Sequence, residues 1–174
     1  MTAEDGTGKS GGEESGEHPL DEVIESARRL LAMRGHAEQE LRLKLEDREF
    51  GIEWIDRAIE QLRDEGALDD ARFAEHQADI LQQKSWGPRR IRQKLRDRGI
   101  SDTDIDDALR SVAADEPELW LRRCYERMRQ KFGEPDASWS QRDKAKVFRH
   151  LKHRGFDASL IRRILFDGVR PSSE

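Results

Sequence analysis

A single cysteine, Cys124, excludes any disulfide within the chain and fits a reducing compartment. No apolar run approaches the roughly 18 residues of a membrane-spanning helix. The N-terminus is polar and acidic, without the apolar core of a signal peptide. β-Branched residues are few and no stretch alternates apolar with polar, so no strand is expected. Aromatics are only 6% and apolar residues only 34%, against 40% charged. A composition this polar cannot fill the core of a large compact enzyme, but it suits a thin core spread along an array of small units. The expected location is the cytoplasm.

What the chain does have is a hydrophobic pattern written three times. Leu41, Leu45, Phe50, Ile55 and Ile59 recur 50 residues later as Ile91, Leu95, Ile100, Ile105 and Leu109. They recur after a further 56 residues as Val147, Leu151, Phe156, Ile161 and Leu165. Spacings of four and five residues place each set on helices that share a core. Repeated helical units stack on their neighbours and expose a long surface, which usually binds something large. The expected fold is all-α: three tandem three-helix repeat units in an elongated, curved array.

The boundaries follow from turn and capping residues. Residues 1–19 are Gly/Ser-rich and acidic, without periodicity, and are expected to be a disordered tail. Unit one covers 20–67, unit two 68–113 and unit three 114–168, leaving a C-terminal tail at 169–174. Asp69 can accept a hydrogen bond from a free N–H of the next helix's first turn. Gly87-Pro88 opens a helix that Gly99 closes. Ser101 with Asp104 resembles a capping box. The first helix of unit three aligns with that of unit two at a shift of 46, and the later helices at 56. The extra residues should form a loop insertion near 134–143, where Pro135, Asp136, Ser138 and Ser140 cluster.

Charge is segregated. Segment 36–76 is net −7, whereas 84–98 and 142–163 are each net +6. In the helix at 88–98, Ile91 and Leu95 point inward, leaving Arg89, Arg92 and Arg96 on another face, flanked by Arg90, Lys94 and Arg98. Lys146, Arg149 and Lys152 or His153 build a comparable stripe in unit three, and Lys144 and Arg154 are counted with its basic face. Charge runs are usually solvated faces balanced by acidic neighbours. Here the stripe recurs in equivalent helices of units two and three and is lacking in unit one, which favours a surface for a polyanion or an acidic partner. Arg suits phosphate through its planar fork, so nucleic acid is a natural candidate. Trp86 is read as a wedge between helices.

Other motifs carry less. Ala3 to Ser10 resembles a relaxed phosphate loop, but only two residues precede it, so the required strand cannot form. His150 and His153 share a helical face among cations, which would repel a metal ion. No nucleophile–base–acid arrangement stands out. No catalytic residue, cofactor or metal site is expected.

Three stretches resemble the RecX family of recombinase regulators: Glu65 to Ala74 (EGALDDARFA), Trp86 to Leu95 (WGPRRIRQKL) closing on Arg98-Gly99-Ile100, and Lys152 to Phe156 (KHRGF). Within them Gly66, Leu68, Asp70, Arg72, Phe73, Gly87, Ile91, Leu95, Gly99 and Ile100 are the family-type structural positions. The likeness covers about residues 20–168. Ala67 departs from it where an aromatic is frequent, and Ala37 where a capping hydroxyl is common. The resemblance implies a non-enzymatic regulator that lies in the groove of the RecA filament on single-stranded DNA. Its implied effects are to dampen ATP hydrolysis, strand exchange and co-protease activity, within DNA repair, recombination and the SOS response. It also implies three tandem units and a monomer without cofactor, touching single- or double-stranded DNA with little sequence specificity. The competing reading is a direct DNA-binding regulator, since three-helix units resemble helix-turn-helix modules.

Overall fold

A computed structural model describes residues 19–135 and 138–172. They form nine helices and no strand: α1 (Pro19–Met33), α2 (Glu38–Glu46), α3 (Ile52–Asp64), α4 (Asp70–Gln83), α5 (Pro88–Arg96), α6 (Asp102–Val112), α7 (Leu119–Phe132), α8 (Gln141–His153) and α9 (Ala158–Leu165). The expected tail and the phosphate-loop look-alike lie outside the described residues, apart from Pro19, which begins α1.

Three separate cores match the three units. Val23, Leu41, Ile55 and Leu62 sit in the first, Ala78, Ile91, Leu95 and Ile105 in the second, and Met128, Leu151, Phe156 and Ile161 in the third. Every residue of the threefold pattern is buried except Phe50, which is half-buried against the first core. Each buried Leu, Ile or Phe contributes about 1.5–3 kcal/mol. A core of this size barely offsets the ordering of some fifty residues, so the units depend on their neighbours.

Helix starts are fixed by caps, some of them across the expected unit boundaries, and Leu68 packs in the first core and Ala37 in the second. Asp69 accepts from Arg72 N–H at 2.9 Å, and Ser101 accepts from Asp104 N–H at 3.1 Å. At α2 the N-cap is Ala37, which has no side-chain cap. Unit two supplies one instead: the Asp70 carboxylate accepts Glu38 N–H at 2.8 Å. Burial pushes the Asp70 pKa up, against the pull of that backbone N–H. Of the 134–143 segment, residues 136–137 lie outside the described residues. Ser140 and Asp143 form a full capping box, and Gln141 to Asp143 belong to the first turn of α8.

The junctions between units repeat as the cores do. At each, the start of a middle helix meets the glycine turn of the following unit. A Cβ built on Gly99 would meet Gln39 Cβ at 2.3 Å. The start of α5 meets the Gly155 turn, 56 residues after Gly99, in a similar way but one residue further along: a Cβ on Gly155 would lie 2.4 Å from Arg90 N, next to Arg89, the residue in register with Gln39. Both glycines have positive φ, +85° and +92°. Gly87 N–H donates to Arg154 O at 2.8 Å, and Arg89 N–H donates to Gly155 O at 3.1 Å. The Arg154 guanidinium then caps the end of α4 by donating to the Ser85 carbonyl at 3.2 Å and to that of Lys84. Trp120 and Arg123 of α7 complete the junction, the first against the second core and the second donating to Gln82 Oε1 at 2.9 Å.

Candidate partner interface

The basic residues of α5 and its flank fall into two groups. Ile91 and Leu95 are buried as the spacing requires, and Arg89, Arg92 and Arg96 do share the outer side. That stripe is already neutralised. Arg89 pairs with Asp157 of unit three at 2.5 Å. Arg92 pairs with Asp106, and Arg96 Nε lies 2.7 Å from Asp102. The bond to Asp102 raises the Arg96 pKa and, from the other side, lowers that of Asp102. Asp157 is held below the usual carboxylate range by the Ser159 hydroxyl first, then its N–H, then Arg89.

The second group surrounds Trp86. Arg154 lies 4.1 Å from the indole ring centre, Lys94 5.2 Å and Arg90 5.5 Å. The half-buried ring is both a wedge against the second core and a platform for three cations. Arg98 sits over Phe73 at 5.5 Å and reaches Gln77. Arg154, with its two carbonyl acceptors, has a positioning role at the junction.

Unit three is electrostatically different. Its two acids in the 142–163 segment are committed: Asp143 to the α8 capping box, and Asp157 to Ser159 and Arg89. Lys144, Lys146, Arg149 and Lys152 of α8, with Arg162 and Arg163 of α9, make no close ion pair with a carboxylate among the described residues; Lys146 acts on Asp143 and Arg163 on Glu118 only at longer range. His150, also on α8, is surrounded by a different set of cations. Its pKa is pushed down to about 4, by burial first and then by Lys131, Arg127 and Arg154. Lys131 Nζ lies 3.3 Å from its Nδ1. No group of His, Cys, Asp and Glu among the described residues is arranged to hold a metal ion. Cys124 is fully buried, and burial alone pushes its thiol pKa up to about 12.

Register across the repeat explains the difference. Arg42 pairs with Asp56 in unit one, and 50 residues on Arg92 pairs with Asp106 in unit two. A further 56 residues on, the same two positions hold Phe148 and Arg162, with the guanidinium 5.9 Å from the ring centre. The acid has become a base and its partner an aromatic ring. Phe166, also on this face, is 54% exposed, with Lys144 Nζ 5.3 Å from its ring centre. Gln141, Lys144, Ala145, Phe148, Arg149, Arg162 and Phe166 line an open cleft of about 300 Å³. Phe148, Arg162 and Phe166 were not singled out by charge counting. Setting the three units in register is the signal that finds them.

Several of the family-type structural positions lie in turns or cores. Gly66, at φ +67°, ends α3, and Leu68 folds back into the first core. Phe73, Ile91, Leu95 and Ile100 belong to the second core. Arg72 is exposed beside Ala67 at a cleft of about 450 Å³.

The fold defines a class, all-α arrays of three-helix units, and in this chain the last unit presents an unbalanced basic face. Among the described residues no helix is long and apolar enough to cross a membrane. Comparison with known proteins places the chain within that class. The family models for the first and second three-helix domains of RecX match residues 24–62 and 69–109. Regulatory protein RecX of Cronobacter sakazakii is 37% identical over 77% of this chain and 84% of its own length. That of Pseudomonas fluorescens is 36% identical over 82% and 89%. The crystal structure of RecX from Lactobacillus salivarius superposes with a TM-score of 0.71 at 20% identity, covering 86% of this chain and 96% of that one. A second crystal structure of a regulatory protein RecX gives 0.72 at 24%, covering 86% and 72%. The chain belongs to the RecX family, and its role is that of a regulatory protein.

Proposed function

We propose that this protein regulates the RecA recombinase by binding the RecA filament on single-stranded DNA and dampening its ATPase, strand-exchange and co-protease activities. Family membership supplies the regulatory role. The observation that favours a large charged target is the basic face of α8 and α9, left without close ion pairs to carboxylates while the stripe on α5 is paired. A filament groove offers a long, repeating surface, and a stacked array can engage several points of it at once. The contacts around Trp86 and the backbone bonds at the junction of units two and three keep the array ordered, so less freedom is lost on binding.

The competing DNA-reader role fits less well. A reader of base edges needs its recognition helix free to enter the major groove. The candidate for that helix, α5, has Arg89, Arg92 and Arg96 tied to Asp157, Asp106 and Asp102. The reading is tested by RecA ATP hydrolysis on single-stranded DNA with added protein. Suppression at sub-stoichiometric or equal amounts is expected, and an unchanged rate at saturating protein refutes it.

A further inference from the structure

We propose that the cleft between α8 and α9 is a docking site for an acidic, turn-forming segment of a protein partner, held by the face that units one and two use to grip their neighbours. In the junctions, the start of α2 packs on the Gly99 turn and the start of α5 on the Gly155 turn. The second of these grips involves both backbone and charge: Arg89 N–H bonds to Gly155 O, and the Arg89 side chain pairs with Asp157, beside the buried Phe156. The equivalent positions at the start of α8, 56 residues after Ser85 and Arg89, are Gln141 and Ala145. They line an open cleft instead of a junction.

The chemistry of the cleft specifies the occupant. Clefts elsewhere include Glu126 and Glu134, or Asp69, or Asp97; this one includes no carboxylate. Lys144, Arg149 and Arg162 supply positive charge around a floor of Phe148 and Phe166. A single-stranded nucleic acid would need bare ring faces on which to stack bases. Here cations already lie over both rings, Lys144 over Phe166 and Arg162 over Phe148. What remains is an apolar recess rimmed by ammonium and guanidinium groups. It fits an aliphatic or aromatic side chain flanked by carboxylates, as Phe156 and Asp157 are arranged on their own turn.

A second copy of the chain does not fit. The matching turn in unit one, 50 residues before Gly99, carries Glu49, at φ +64°. At Gly99 and Gly155 a Cβ would come within 2.3–2.4 Å of the preceding unit. Glu49 therefore blocks the same approach at the open end of unit one, in the manner of a capping repeat.

The inference rests on the reading above for the identity of the partner, and on the cleft alone for its chemistry. The test uses the full chain, isotope-labelled, titrated with the peptide Asp-Glu-Gly-Phe-Asp-Glu, with the same peptide carrying Ala for Phe, and with an oligothymidylate. Resonances of α8 and α9 should shift with the first peptide, and the Ala peptide should bind several-fold more weakly. Rebuilding the pair of units one and two with Phe148→Arg and Arg162→Asp should weaken the first peptide by about tenfold, roughly 1.4 kcal/mol. Lys144→Glu, at a half-buried rim position outside the third core, should act in the same direction. Unchanged affinity in both variants, or shifts in the cleft caused by the oligonucleotide and not by the peptide, overturns the proposal. Peptide binding by a chain that leaves RecA untouched removes the RecA reading and keeps the site. RecA inhibition undiminished by the rebuilt pair does the reverse.

Discussion

Replacing Gly155 by alanine tests the junction that joins units two and three. The residue sits at φ +92°, where a Cβ costs about 1–2 kcal/mol in backbone strain alone. The new Cβ would also lie 2.4 Å from Arg90 N, an atom of the α5 backbone that cannot rotate away. Relief requires the turn to move off α5, which breaks the bonds from Gly87 N–H to Arg154 O and from Arg89 N–H to Gly155 O. Each contributes about 1 kcal/mol net. The expected loss is therefore about 3–4 kcal/mol, a large part of the stability of a domain this size. Gly66→Ala is the reference. Its φ is +67° but nothing lies within 4 Å of the added Cβ, so only the backbone strain applies. Urea unfolding followed by tryptophan fluorescence and by circular dichroism measures both, and Trp86 reports on the junction. Gly155→Ala should be less stable than Gly66→Ala by about 2 kcal/mol, with unit three unfolding earlier than the rest. Equal losses in the two variants would refute the argument that the turn is held by close contact.

Other outcomes follow from single sites. Asp70→Ala removes the cap that unit two lends to α2 and should cost about 1 kcal/mol by chemical denaturation. Glu49→Gly relieves a positive φ and should raise the melting temperature, with about 1 kcal/mol gained. His150, held near pKa 4, stays neutral in the folded chain while an unfolded one takes up a proton below about pH 6.5. Its contribution to stability is thus present at neutral pH and lost as pH falls from about 6.5 towards 4. Melting temperature against pH should show that loss, and His150→Gln should flatten the part due to this ring. Cys124, buried with its thiol pushed up to about 12, should resist iodoacetamide until the chain unfolds.

Much of the scaffold could be read directly from spacing. Leu41, Ile91 and Val147 announce equivalent helix faces because a core position must be apolar whatever the surface does. Asp69 and Ser101 mark helix starts because capping is local chemistry within one turn. The cap on α2 was not legible, because its acceptor, Asp70, comes from the next unit. The basic stripe was legible as charge and illegible as availability. Arg92 and Arg96 meet Asp106 and Asp102 across a turn, and Arg89 meets Asp157 across a junction, so counting charge within a segment cannot detect the pairing. The same limit concealed unit three, where the decisive changes are Phe148 for arginine and Arg162 for aspartate at matched positions. Those substitutions do little to core periodicity and reverse the chemistry of the surface.

The central claim is that the free basic face of unit three, and not the paired stripe of unit two, carries the regulation. The direct measurement is RecA ATP hydrolysis on single-stranded DNA, titrated with wild type, with Lys144→Glu/Arg149→Glu, and with Arg92→Gln/Arg96→Gln. The first variant should need about tenfold more protein for half-inhibition, with a weaker salt dependence. The second should stay within about twofold, since its charges already answer to Asp102 and Asp106. Inhibition that survives the unit three reversals and fails in the unit two variant would contradict the account.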